Sequence, residues 1–86
     1  MLEIDPALIG TLEMDGYWVP YLDLYHLEFV PTRIKLAHDE YAFLKSAPVL
    51  GHGAILPAEI RAARSAGKKP VVVERDDRYY LYLAPP

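Results

Sequence analysis

Few residues in this chain could act as nucleophiles. The 86 residues include no Cys, and the two serines, Ser46 and Ser65, lie outside the Gly-x-Ser-x-Gly pattern that exposes a catalytic serine. The absence of Cys also excludes disulfides, thiolate catalysis and cysteine zinc sites. The sequence therefore argues against acyl-transfer chemistry, and packing must hold the fold together.

Three histidines remain as candidates for acid–base chemistry, and none belongs to a His-Glu-x-x-His or His-x-His pattern. Among His26, His38 and His52, the last is the sharpest candidate because it lies between Gly51 and Gly53, where a substrate could approach closely. Imidazole titrates near neutral pH, as a general acid or base requires. The same residues also fit a flexible loop, in which the glycines permit positive φ and His52 has no chemical role.

A metal site would need His38, Asp39 and Glu40 to converge with a distant histidine. Adjacent residues on one helical turn diverge, and a helix N-terminus favours acidic residues without any metal. We therefore predict no metal site and no cofactor.

Basic residues cluster on the side and at the end of a helix predicted within residues 57–68, at Arg61, Arg64, Lys68 and Lys69. Such a face could contact nucleic-acid phosphates, but cations at a helix C-terminus also stabilise the helix itself. The chain has neither Asn nor Gln, the side chains that read adenine, and its pI is about 5.5. Nucleic-acid binding is thus the weaker alternative.

Charge is divided unevenly along the chain. Residues 1–32 contain six acidic and no Lys or Arg side chains, whereas residues 33–86 contain nine basic and six acidic ones. Tyr and Trp, which are enriched in protein interfaces, alternate with acidic residues in the first part. The predicted binding residues are Asp15, Tyr17, Trp18, Tyr21, Asp23, Tyr25 and Glu28. Alternatively these rings form the core, although seven tyrosines supply more hydroxyls than a small core easily satisfies.

Composition indicates a single compact domain over residues 1–86. The chain is 52% hydrophobic with a mean hydropathy of +0.04, which is too apolar for a disordered chain. It has no run of 18 apolar residues and no signal-peptide pattern, so we expect a cytoplasmic protein that does not engage a membrane. Because so short a chain buries little surface, homodimer formation is a further expectation to test.

Turn signals indicate two hairpins. Asp15-Gly16 separates alternating apolar runs and predicts a hairpin over residues 11–19. Asp76-Asp77 separates two apolar runs in the last part of the chain, and a two-residue turn there pairs Val73 with Tyr80. Both faces of this second hairpin are apolar, so we expect it inside a sheet.

Capping and charge patterns predict the remaining elements. Asp5 and Pro6 fit the start of a single turn, acidic residues followed by Lys45 fit a short helix, and Gly67 ends an Ala-rich helix. The expected elements are a turn near residues 4–9, a strand at 33–36, a short helix at 39–46 and a helix at 57–66. Residues 21–30, bracketed by prolines, fit either a strand or a helix.

These elements predict an α+β domain with a small, mainly antiparallel sheet built from two hairpins and packed with two short helices. Residues 58–83, a helix followed by Gly67, a Val-rich strand, a charged turn and a second strand, resemble part of the Phd/YefM antitoxin family and the opening of ParB-like domains. The helix is shorter than the antitoxin helix, and the ParB-type Gly-x-x-Arg signature is absent.

Function depends on sites rather than on the fold. The leading hypothesis is a non-enzymatic protein-binding module of inhibitor, antitoxin or anti-defence type, whose acidic, Tyr-rich first third engages a basic surface of another protein. The alternatives are a small enzyme that uses His52 and nucleic-acid binding through the basic helix at residues 57–68.

Overall fold

The computed structural model describes residues 1–24, 28–51 and 55–86. The strands are β1 (Leu2–Ile4), β2 (Gly10–Met14), β3 (Tyr17–Asp23), β4 (Arg33–Leu36), β5 (Asp39–Pro48), β6 (Lys69–Arg75) and β7 (Arg78–Ala84), with a 3-10 turn at Pro6–Leu8 and helix α1 at Ile55–Ser65. No helix in these ranges has the length and apolar character needed to cross a bilayer.

The strands form one mixed sheet in the order β1-β4-β5-β7-β6-β3-β2. Three hairpins supply the β2–β3, β4–β5 and β6–β7 pairs, and two parallel pairs, β1–β4 and β3–β6, join segments that are distant in the chain. The α+β class is confirmed. The expected small sheet of two hairpins with two short helices is wrong, because the described sheet has seven strands and a single α-helix packs against it.

Local turn chemistry places the predicted hairpins correctly. Asp15 and Gly16 have φ of 52° and 83° between β2 and β3, and Asp76 and Asp77 have φ of 52° and 60° between β6 and β7. Positive φ at both central residues is the two-residue turn that matches the twist of paired strands. Val73 lies opposite Tyr80, as expected, and both strands of this hairpin have neighbours on either side in the sheet.

The short helix expected at residues 39–46 is wrong, because this segment lies in strand β5. β5 pairs with β4 on one side and with β7 on the other, and these ladders override a weak local helix preference. The ladder shifts register between Phe43 and Lys45. That bulge interrupts the alternation of apolar and polar residues along β5, so the sequence pattern does not indicate a strand.

The other predicted elements agree with the structure. Asp5 caps the turn at Pro6–Leu8 by accepting the Ala7 N–H at 3.0 Å. Helix α1 ends in a Schellman arrangement: Gly67 has φ +77°, and the Lys68 N–H donates to the Ala63 carbonyl at 2.8 Å. In the ambiguous segment 21–30, the first three residues end β3 and residues 28–30 lie in neither a helix nor a strand.

The sheet is strongly curved. β1 and β2 form its opposite edges, yet only residues 5–9 separate them in the chain. In a flat seven-stranded sheet the edges would lie about 29 Å apart at about 4.8 Å per strand spacing. A link of this length reaches at most about 20 Å, so the edges must approach each other.

Each face of the curved sheet carries its own core. The cluster away from α1 comprises Ile4, Leu22, Leu24, Ile34, Tyr41, Val71, Val73, Tyr82 and Ala84. The cluster under α1 comprises Met14, Val19, Ala47, Leu56, Ile60, Val72 and Leu81. The first cluster has members on β1, β4, β5, β7, β6 and β3, so it extends along the side of the sheet opposite α1.

Candidate protein-interaction surface

Strand β3 divides the predicted binding residues between the two faces of the sheet. Successive side chains on a strand point to opposite faces, so Tyr17 and Tyr21 share the α1 face with the buried Val19, whereas Trp18 points to the other face. The predicted aromatic patch is therefore not one continuous surface.

Two arginines of α1 hold the hairpin from the helix side. The Arg61 guanidinium lies 5.6 Å from the centre of the Tyr17 ring, a cation–π geometry. Arg64 donates a hydrogen bond from Nη2 to the backbone carbonyl of Trp18. These contacts fix the position of β3 against the helix, so the tip of the hairpin is presented by a supported strand.

Tyr21 has a structural partner. Its hydroxyl donates to Glu74 Oε1 at 2.6 Å across the β3–β6 parallel pair, and the ring is half-buried. Burial and the hydrogen bond to the Glu74 carboxylate raise the pKa of Tyr21 well above its usual value, because both disfavour the phenolate. Tyr21 therefore contributes to packing and to a polar cross-strand contact.

Of the described aromatic residues in this set, Trp18 is the one that projects into solvent, with 63% of its surface exposed. Glu13 lies directly opposite it in the β2–β3 register and is also exposed. The Glu13 carboxylate accepts the Gly16 N–H at 2.7 Å, which fixes it beside the turn that carries Asp15. We call Glu13, Asp15 and Trp18 the hairpin surface: one exposed aromatic side chain, the carboxylate opposite it and the carboxylate of the adjoining turn.

The remaining predicted residues lie in several places. Asp23 is exposed at the end of β3, Glu28 is exposed beyond it, and Tyr25 falls outside the described residues. His52 also falls outside them, so its expected acid–base role has no geometry to consider. His38 lies in the β4–β5 turn, and no group of three His, Asp or Glu side chains in the described ranges is placed to hold a metal ion.

The four predicted basic residues are divided between internal contacts and solvent, and two of them, Lys68 and Lys69, lie beyond the end of α1. Arg61 and Arg64 contact the hairpin, and Lys69 forms an ion pair with Asp39 at 2.8 Å between Nζ and Oδ2. Lys68 is exposed at the helix end. Cations engaged with Tyr17, Trp18 and Asp39 form a less continuous phosphate-binding face than the sequence pattern implies.

Sequence reasoning missed two contributors to this surface, Glu13 and Arg64. The signal for Glu13 was present, because a two-residue turn at Asp15-Gly16 places residue 13 opposite residue 18. Arg64 gave no such signal, since it lies 46 residues from Trp18 in the chain.

Comparison with known proteins identifies no relative. No family model, no curated protein and no solved structure matches this chain. The functional argument therefore rests on the geometry of the chain itself.

Proposed function

We propose that this protein is a non-enzymatic protein-binding module of inhibitor or antitoxin type, and that its acidic hairpin surface engages a basic surface of another protein. The observation that carries the proposal is the exposure of Trp18 directly opposite Glu13, on the hairpin whose turn contains Asp15. Trp is the side chain most enriched among residues that dominate binding energy, and an exposed one on a supported strand loses little freedom on binding.

The negative charge of this part of the chain supports a partner with a basic surface. Residues 1–24 contain five carboxylate side chains and no Lys or Arg, and one of those carboxylates, Glu13, lies directly opposite Trp18. An arginine or lysine of the partner could stack on the indole and pair with Glu13 at the same time. Such complementarity steers encounter and excludes acidic surfaces.

The test is affinity capture from the native cell extract, followed by mass spectrometry, with matched variants. Trp18→Ala removes the exposed ring, and the double variant Glu13→Gln, Asp15→Asn removes both charges while keeping the side-chain shapes. Leu50→Ala is the control, because Leu50 is 89% exposed and lies two residues beyond the end of β5, outside the hairpin. We expect a protein retained by wild type and Leu50→Ala but lost from both hairpin variants.

The salt dependence of retention tests the electrostatic part of the proposal. Retention should fall with added salt for wild type and depend less on salt in the double variant. Equal retention of every captured protein by Trp18→Ala and wild type, with both folded, would overturn the proposed function.

A further inference from the structure

Strand β2 exposes a row of backbone groups at one edge of the sheet, and among the described residues it pairs with β3 alone. In a hairpin with a two-residue turn, the pair that flanks the turn, here Met14 and Tyr17, exchanges both hydrogen bonds. Such pairs alternate along the ladder. The N–H and C=O groups of Thr11 and Glu13 therefore point away from β3, toward solvent.

The inner side of β3 supports this alternation. Pro20 lies opposite Thr11 at a non-hydrogen-bonded position, where its missing N–H costs the β2–β3 ladder nothing. Trp18 lies at the other such position, and its carbonyl, which points away from β2, accepts the hydrogen bond from Arg64. Arg64 thus satisfies the Trp18 carbonyl on the inner side of β3, which lies before the start of the β3–β6 ladder at Tyr21.

Apart from the charge of Glu13, which a basic segment would neutralise, the β2 edge lacks the features that usually block strand addition. β2 has five residues with no Pro, no Lys and no bulge, and Gly10, Thr11 and Glu13 are exposed. The opposite edge, β1, has three residues, which offers a shorter ladder. β2 is therefore the better platform for an added strand.

We infer that the partner supplies an extended basic segment that adds antiparallel to β2 and extends the sheet by one strand. The inference rests on the proposed function and names its binding mode. Residues directly opposite each other project to the same face, so the partner residue opposite Glu13 shares the face of Trp18. An Arg or Lys there pairs with the Glu13 carboxylate and reaches toward the indole, about 10 Å away at two strand spacings.

The neighbouring partner residue projects to the other face, beside the half-buried Leu12, and is apolar. The expected partner segment therefore alternates basic and apolar residues. A second copy of this chain is a poorer occupant of the edge, because residues 1–24 would bring only further carboxylates to Glu13 and Asp15.

The test uses three capped five-residue peptides and ¹⁵N-labelled protein. Arg-Val-Arg-Val-Arg has the expected pattern, Arg-Pro-Arg-Pro-Arg has the same charge but cannot form a ladder, and Glu-Val-Glu-Val-Glu has the opposite charge. We expect the first peptide alone to shift the Thr11 and Glu13 amide resonances and to slow their hydrogen exchange.

Thr11→Pro removes one outward N–H without removing a β2–β3 hydrogen bond, and Thr11→Val is its matched control because it keeps that N–H. Because Thr11→Pro loses one hydrogen bond to the added strand, we expect it to bind Arg-Val-Arg-Val-Arg about 3- to 10-fold more weakly than wild type does. Thr11→Val should bind as wild type does. A variant spectrum that retains the dispersion of the wild type shows that the hairpin is intact.

Each other outcome overturns the strand addition. If Arg-Pro-Arg-Pro-Arg binds equally well and both peptides require Trp18, the basic-partner function survives and the strand-addition mode fails. If no peptide protects Thr11 and Glu13 at millimolar concentration, the mode fails and the capture experiment decides the function separately. If the two amides are protected without peptide and the protein has twice its monomer mass, a second copy occupies the edge.

Discussion

Arg64 on the helix donates a hydrogen bond to the backbone carbonyl of Trp18, on the opposite side of β3 from the open β2 edge. One contact thus joins the helix end to the strand that carries the exposed indole. Because the paired register of β3 with β6 begins at Tyr21, the arginine supplies a donor to a carbonyl that lies before this ladder. The hairpin is therefore supported where it would otherwise be free.

Replacing Arg64 should loosen the hairpin. Arg64→Met keeps an unbranched apolar stem and good helix propensity but removes the donor to Trp18. We expect the free energy of unfolding to fall by about 1 kcal/mol in urea titration and the Trp18 region to exchange its amides faster. Arg33→Met is the control, because its 3.9 Å contact with Glu40 is exposed and contributes little. Equal losses in the two variants would contradict this role.

Ala37 should be a site of strain. It lies in the β4–β5 turn with φ +56°, a backbone region that costs a residue with a Cβ about 1–2 kcal/mol. After the entropic cost of glycine, Ala37→Gly should raise the free energy of unfolding by about 0.5–1 kcal/mol. The same substitution at the exposed helix position Ala62 should lower it by about 1 kcal/mol. Thermal unfolding of both variants checks the opposite signs, and a loss of stability in Ala37→Gly would count against the strain.

Tyr82 should make the fold sensitive to alkali. Its hydroxyl donates to the Pro31 carbonyl at 2.5 Å in the core, and burial raises the pKa of Tyr82 to about 12 from its ordinary 10.0. Between pH 10 and pH 12 the unfolded chain loses this proton and the folded chain keeps it, so stability falls as pH rises. One such group contributes a slope of at most about 1.4 kcal/mol per pH unit.

Tyr82→Phe removes that titration and is the matched variant. It should be less stable than wild type at pH 8, because the Pro31 carbonyl loses its donor, but its stability should decline less steeply above pH 10. Urea unfolding at several pH values measures both effects. If the free energy of unfolding falls equally steeply above pH 10 in the two proteins, Tyr82 does not cause the pH dependence.

The parts of the fold that local chemistry determines could be predicted from the sequence. The turns at Asp15-Gly16 and Asp76-Asp77, the cap at Asp5 and the end of α1 at Gly67 each follow from a few adjacent residues. The parallel pairs do not, because β1–β4 and β3–β6 join distant segments whose pairing has no local signature.

The candidate site divides in the same way. The position of Glu13 opposite Trp18 follows from the hairpin register, whereas the burial of Tyr21 against Glu74 depends on a pair 53 residues apart. Excess tyrosine indicated a surface in the sequence, but Tyr17 and Tyr21 are half-buried under Arg61 and beside Glu74. Of the three described rings of the predicted patch, Tyr17, Trp18 and Tyr21, Trp18 alone is exposed.

The most direct test of the central claim is the fluorescence of Trp18, the single tryptophan of the chain. In the free protein the exposed indole should be readily quenched by acrylamide. On addition of the partner identified by capture, we predict a blue-shifted emission and strong protection from quenching, both lost in the Glu13→Gln, Asp15→Asn double variant at the same concentrations. Trp18 emission and quenching that stay unchanged while the partner is bound would contradict the account.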